Sequence, residues 1–185
     1  MNTPFTFPCG VQVSNRICKP AMSEQLALRT GCPSEQLIHL YEVWGKQGGT
    51  GLLVTGNVMI DRRRLTEPRN AILEDEQFVK EFTRMARAAK CNGSKCIMQI
   101  SHPGKVGVLP LLAPPVGPSE VSLDMPLAWL RRPRALTIEE IENLIHRFAR
   151  TAELAMKAGF DGVQIHGKLL YNIYSIDFRN NNAQN

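Results

Sequence analysis

At 185 residues the chain is long enough for one domain with a sizeable core. Hydrophobic residues at 43% and charged residues at 21% exclude a disordered chain, and no apolar run reaches the ~18 residues of a membrane helix. The net charge of +5 gathers in two loop-like patches, Arg62-Arg63-Arg64 and Arg131-Arg132-Pro133-Arg134. These read first as solvated loops and second as aids to an anionic cofactor or substrate. Nucleic acid is a poor third, because neither patch is interleaved with aromatics.

The N-terminus has neither a basic n-region nor an apolar h-region, so no secretory signal is expected. The five cysteines (Cys9, Cys18, Cys32, Cys91, Cys96) are odd in number and lack paired ligand spacing. Reduced thiols, a cytoplasmic location and no metal are therefore expected.

In chain order, residues 4–13 predict a hairpin, with Phe5 and Phe7, then Val11 and Val13, alternating about Pro8-Cys9-Gly10. A first core strand follows and stops near Pro20, which cannot donate to a ladder. Cys32-Pro33-Ser34 opens a helix to about Lys46, with Leu37, Leu40, Tyr41 and Trp44 at helical spacing. Residues 51–57 form a nearly unbroken apolar run, as a strand buried on both faces does. From about Asp75 a second helix places Phe78, Phe82, Met85, Ala86 and Ala89 on one stripe.

Lys95 to Ser101 predicts a third buried strand, ending at His102-Pro103-Gly104-Lys105. Residues 103–136 form one long irregular stretch rich in Pro, the kind of loop that often carries function. Thr137-Ile138-Glu139-Glu140 is a capping-box signature. The helix behind it sets Ile138, Ile141, Leu144, Ile145, Phe148, Ala152 and Ala155 on one face. A last stretch, Gly159 to Gly167, predicts a short buried strand that ends in His166, where Gly167 lets the chain turn.

The order β-α-β-α-β-α-β implies a parallel sheet with right-handed crossovers. Two closures remain open: a doubly wound sheet, or the wall of an eight-stranded barrel. The absence of a glycine-rich dinucleotide fingerprint weakens the first, since Gly51 and Gly56 only flank the second core strand. In either closure the carboxyl ends of the strands are where ligands collect.

At those ends the residues are recognisable. Asn15-Arg16-Ile17-Cys18-Lys19-Pro20-Ala21-Met22-Ser23-Glu24, Gly49-Thr50-Gly51-Leu52-Leu53-Val54-Thr55-Gly56-Asn57, Gln99-Ile100-Ser101-His102-Pro103-Gly104-Lys105 and Ala158-Gly159-Phe160-Asp161-Gly162-Val163-Gln164-Ile165-His166-Gly167 resemble, in order, motifs of the old yellow enzyme family. That resemblance implies an α/β parallel TIM-barrel fold, here about the first four βα units (a half-barrel) behind a short hairpin. It also implies an FMN-dependent oxidoreductase taking hydride from NAD(P)H and passing it to an activated, electron-poor alkene.

For matching positions the resemblance implies that backbone at Pro20, Ala21 and Met22 lines the flavin. Ser23 stands where a Thr or Cys usually bonds the ring, and Gly56 packs beside it through its backbone. Gln99 meets the pyrimidine edge, because an amide offers both donor and acceptor. His166 bonds the flavin or the substrate carbonyl, and Tyr171 falls on the proton-donor position. His102 is expected to buttress its loop. Lys105 replaces the usual Arg, keeping the charge but losing the bidentate fork.

The pattern breaks after Gly167. Leu169 stands where a second donor belongs, and residues 168–185 have no Gly or Pro and no clean amphipathic period. The expected division is a flavin-oxidoreductase portion, 1–167, and a divergent tail, 168–185, in a truncated chain. The alternative is a catalytically dead half-barrel that acts only by self-association through exposed sheet edges or by joining another chain.

Overall fold

The computed structural model describes residues 3–106, 114–120 and 132–166. Strands β1 (Phe5–Thr6) and β2 (Gln12–Val13) pair antiparallel, as the alternation about Pro8-Cys9-Gly10 predicts. The turn places Gly10 at φ 85°, a backbone region open to glycine without a Cβ penalty. Next come β3 (Cys18–Lys19), α1 (Glu35–Gln47), β4 (Leu52–Met59), β5 (Ala71–Ile72), α2 (Val79–Ala89) and β6 (Lys95–Ser101). The described chain closes with β7 (Val116–Gly117), β8 (Arg134–Ala135), α3 (Ile138–Lys157) and β9 (Gly162–Ile165).

The main sheet runs β3-β4-β6-β9, with β5 added to the far end of β4, and every pairing in it is parallel. Burial along β6 alternates: Cys96, Met98 and Ile100 are buried, while Ile97 and Gln99 are only half-covered. The buried set packs into one cluster with Leu37 and Tyr41 of α1, Phe82 and Met85 of α2, and Leu144 and Phe148 of α3. All three helices therefore cover the same face. A doubly wound sheet divides its helices between both faces, so the arrangement is that of a barrel wall.

Helix starts follow their caps. The Ser34 hydroxyl accepts from the Leu37 N–H at 3.1 Å, and Thr137 and Glu140 form the full capping box. At Gly45 the first two helices touch; a Cβ there would lie 2.7 Å from the Ala89 carbonyl oxygen. Only a residue without a side chain permits that crossing.

Two expectations need correction. The buried face of α3 is Leu144, Phe148, Thr151, Leu154 and Ala155, while Ile138 and Ile145 are 77% and 48% exposed. The stripe is rotated because Thr151 turns inward to donate to the Leu73 carbonyl at 2.8 Å, which satisfies its hydroxyl inside the core. The stretch 103–136 is also not wholly irregular, since β7 and β8 pair parallel within it. Unlike β1 and β2, neither of these two-residue strands sits in an alternating apolar run.

Candidate functional site at the strand ends

Between Val54 and Asn57 the β4–β6 register shifts, so that Thr55 and Gly56 oppose a single residue of β6. Such bulges re-aim backbone groups. Here the Thr55 hydroxyl accepts from the Gln99 N–H at 3.0 Å, and the Gly56 N–H donates to the phenol oxygen of Tyr41 at 3.0 Å. A Cβ on Gly56 would overlap the Glu24 carboxylate and the Met22 carbonyl. The chain leaving β3 thus lies directly against the bulge.

Behind that contact is a buried charged group. Lys19 Nζ donates to the Pro20 carbonyl at 3.0 Å and the Val54 carbonyl at 3.1 Å, with Glu24 at 3.8 Å and the Trp44 ring centroid at 4.2 Å. Tyr41 donates to Glu24 Oε1 at 2.8 Å. Burial lowers the Lys19 pKa, against the pull of Glu24, and raises that of Glu24, against the hydrogen bond from Tyr41 and the charge of Lys19.

Ser23 and Gly56 line one small cleft together with Asn57 and Asn70. The Ser23 hydroxyl donates to Glu67, whose other oxygen accepts from Gln25 at 2.8 Å. Buried Asn70 organises the loop carrying Glu67, accepting from the Thr66 and Glu67 N–H groups at 3.1 and 2.9 Å. Gln25 and Arg69 both hold positive φ, 52° and 58°, a conformation that costs a non-glycine residue about 1–3 kcal/mol. The strain sits at the rim of this cleft.

Gln99 is opposite Asn57 on one side and Gln164 on the other. Its Nε2 donates to Gln164 Oε1 at 2.8 Å. Period-two geometry sets His166 on the same face as Gln164. The His166 N–H is held by the Ile100 carbonyl at 3.0 Å, and its buried Nδ1 has no partner among the described residues. Gly56 lies inside β4 rather than flanking it, because the strand runs on to Met59. Gln99 stands near the carboxyl end of β6 and His166 just past that of β9, with Pro20, Ala21, Met22 and Ser23 leaving β3. Tyr171 and the tail 168–185 lie outside the described residues.

His102 buttresses its loop as expected: it is buried, and its Nδ1 accepts from the Gly104 N–H at 3.1 Å. Burial, with Arg64 nearby, pushes its pKa down to about 4, so the ring is neutral. Lys105 is buried with its stem over Gly117. The Arg62-Arg63-Arg64 run is not simply solvated: Arg62 pairs with Glu74, Arg63 grips Asp61 at 2.8 Å, and Arg64 donates to the Pro114 carbonyl at 2.6 Å. A cavity of about 600 Å³ beside it is lined by Asp61, Arg64, His102, Glu139 and Arg147, but by none of the residues expected at the ligand site.

Sequence reasoning missed Lys19, Glu24, Tyr41 and Gln164. Gln164 was within reach, being two residues before His166 on a strand of period two. Tyr41 was read as core, and nothing in helical spacing reveals that its hydroxyl bridges two strands' ends.

A parallel sheet with helices on one face and polar strand ends on the other defines the class, an α/β fold of the TIM-barrel type. The chain belongs to the NADH:flavin oxidoreductase / NADH oxidase family, whose pattern matches residues 1–176. It is 40% identical to the NADH-dependent flavin oxidoreductase nadA of Aspergillus parasiticus, over 82% of this chain and 37% of that one. It is 37% identical to the NADH oxidase of Thermoanaerobacter brockii, over 84% of this chain and 24% of that one. An old yellow enzyme homologue from Zymomonas mobilis superposes with a TM-score of 0.77 at 26% identity, covering 90% of this chain and 48% of that one. The chain thus spans less than half the length of these relatives. Among the described residues no helix is long and apolar enough to cross a membrane.

Proposed function

We propose that the strand-end rim is the FMN-binding part of a cytoplasmic ene-reductase, using NAD(P)H as reductant and a small activated alkene as substrate. The observation that carries this reading is the buried Nδ1 of His166, without a partner among the described residues, on the same face as the Gln99 amide at the end of adjacent strands. Polar atoms left so in a protein interior call for a ligand partner. The bulge at Thr55-Gly56 supports it, since bulges of this kind re-aim backbone groups.

Gln99 offers a donor and an acceptor to the pyrimidine edge of the ring, and Pro20, Ala21 and Met22 line it with backbone. Ser23 reaches it by exchanging its bond to Glu67. His166 donates to the flavin or to the substrate carbonyl, stabilising the negative charge that develops there. FMN, when bound, supplies the hydride chemistry between nicotinamide and alkene. Tyr171 is the proposed proton donor to the neighbouring carbon.

The test is to add FMN to the purified chain, remove the excess, and record the visible spectrum before and after NADPH. Retained flavin absorbance that bleaches with NADPH supports the reading, and a colourless protein overturns it. A second reading is favoured by Ile165, 54% exposed on β9, which has no second neighbour among the described residues. In it the half-barrel is catalytically dead and associates through that edge with a second copy. A colourless dimer by light scattering is its signature.

A further inference from the structure

We propose that Lys19, Glu24 and Tyr41 form a positioning unit that clamps the 20–24 turn against the β4 bulge and so fixes the wall on which the flavin would rest. The inference rests on the FMN reading for its consequence, but the clamp itself stands on geometry alone.

Tyr41 is the hub. Its hydroxyl donates to Glu24 at 2.8 Å and accepts from the Gly56 N–H at 3.0 Å, so one oxygen joins the turn after β3 to the bulge of β4. Lys19 repeats the connection from the other side, bonding the Pro20 carbonyl of the turn and the Val54 carbonyl of β4. The ring of Tyr41 is itself held edge-on to Trp44, with centroids 5.1 Å apart. Each member thus ties the same two segments together, and the Glu24 carboxylate occupies the space that any side chain at position 56 would need.

A hydrophobic filling would stabilise such a site as well or better, because burying an ion pair costs much of what it returns. Apolar side chains, however, cannot fix two backbone segments to within a hydrogen bond's tolerance. The polar unit supplies that register, and the backbone it registers is the 20–24 stretch proposed to line the flavin. Glu24 and Tyr41 line the cleft beside Ser23 and Gly56, yet all three groups act by holding backbone in place, which distinguishes them from Gln99 and His166.

The experiment compares the native chain with Tyr41→Phe, which keeps the ring and removes only the bridging oxygen. Hydrogen–deuterium exchange is read at Gly56 and over 20–24, and FMN affinity by fluorescence quenching. Loss of the hydroxyl's two hydrogen bonds predicts exchange at these sites faster by about tenfold or more and an FMN Kd raised by about as much, with exchange in α2 unchanged. The absorption maximum of bound flavin is also expected to shift. Glu24→Gln, which keeps the acceptor for Tyr41, carries the same measurements should Tyr41→Phe fail to fold, with a smaller change at Gly56 than at 20–24.

Unchanged exchange at Gly56 and 20–24 overturns the clamp whether or not the chain binds FMN. Faster exchange with an unaltered Kd and flavin spectrum overturns its role in setting the wall. Failure of the native chain to bind FMN while exchange responds as expected overturns the FMN reading, and with it the wall, but leaves the clamp.

Discussion

Gln99 and Gln164 are joined across β6 and β9 by a hydrogen bond of 2.8 Å, Nε2 to Oε1. The bond selects one orientation of the Gln99 amide, because its nitrogen must face the neighbouring strand. Gln164→Leu removes that selection without disturbing the ladder. Because Gln164 is exposed, the expected stability change is within about 0.5 kcal/mol, whereas FMN affinity falls by up to about tenfold. Thermal melts and a flavin titration on the same protein separate the two effects.

Gly56→Ala is expected to disturb both folding and ligand binding. The added methyl overlaps the Glu24 carboxylate and the Met22 carbonyl, one of which is backbone and cannot swing aside. Overpacking of this kind costs about 1–3 kcal/mol, read as a lower urea midpoint at unchanged slope.

His102 makes stability depend on pH. Its folded pKa is about 4 against an ordinary value of 6.5, so between these values the unfolded chain binds the extra proton. Its contribution is complete above 6.5 and is lost as pH falls towards 4. The full loss is on the order of 3 kcal/mol. His102→Gln, which does not titrate, is expected to show a shallower fall in urea stability across that window than the native chain; equal slopes would contradict the assignment.

Thr137→Ala removes half of the capping box at the start of α3 and is expected to cost about 1 kcal/mol. Phe82→Ala, at a fully buried site between α2 and the sheet, is expected to cost about 3–5 kcal/mol. Urea denaturation ranks the pair. The cap variant should leave flavin affinity unchanged, since Thr137 is not among the residues of the rim.

Much of the fold was legible because periodicity and caps report directly on local structure. Ser34, Thr137, and the apolar stripes of α1 and α2 marked their helices within a residue or a few, and Gln99 and His166 were found at strand ends. What stayed hidden depends on contacts distant in the chain. The burial of Lys19 beside Glu24 and Tyr41 needs three elements to meet, and the bulge at Thr55-Gly56 appears only when β4 is laid beside β6. The rotation of α3 had the same origin: Thr151 looks like a polar-face residue until the Leu73 carbonyl is beneath it. The pairing of β7 with β8, set among prolines and arginines, has no alternating run to mark it.

The most direct measurement is an FMN titration followed by flavin fluorescence, run in parallel on the native chain, Gln99→Ala and His166→Ala. The account predicts saturable quenching by the native chain and a Kd raised by roughly tenfold or more in each variant, as loss of a ligand hydrogen bond requires. No saturable quenching by the native chain, or one curve shared by all three proteins, would contradict it.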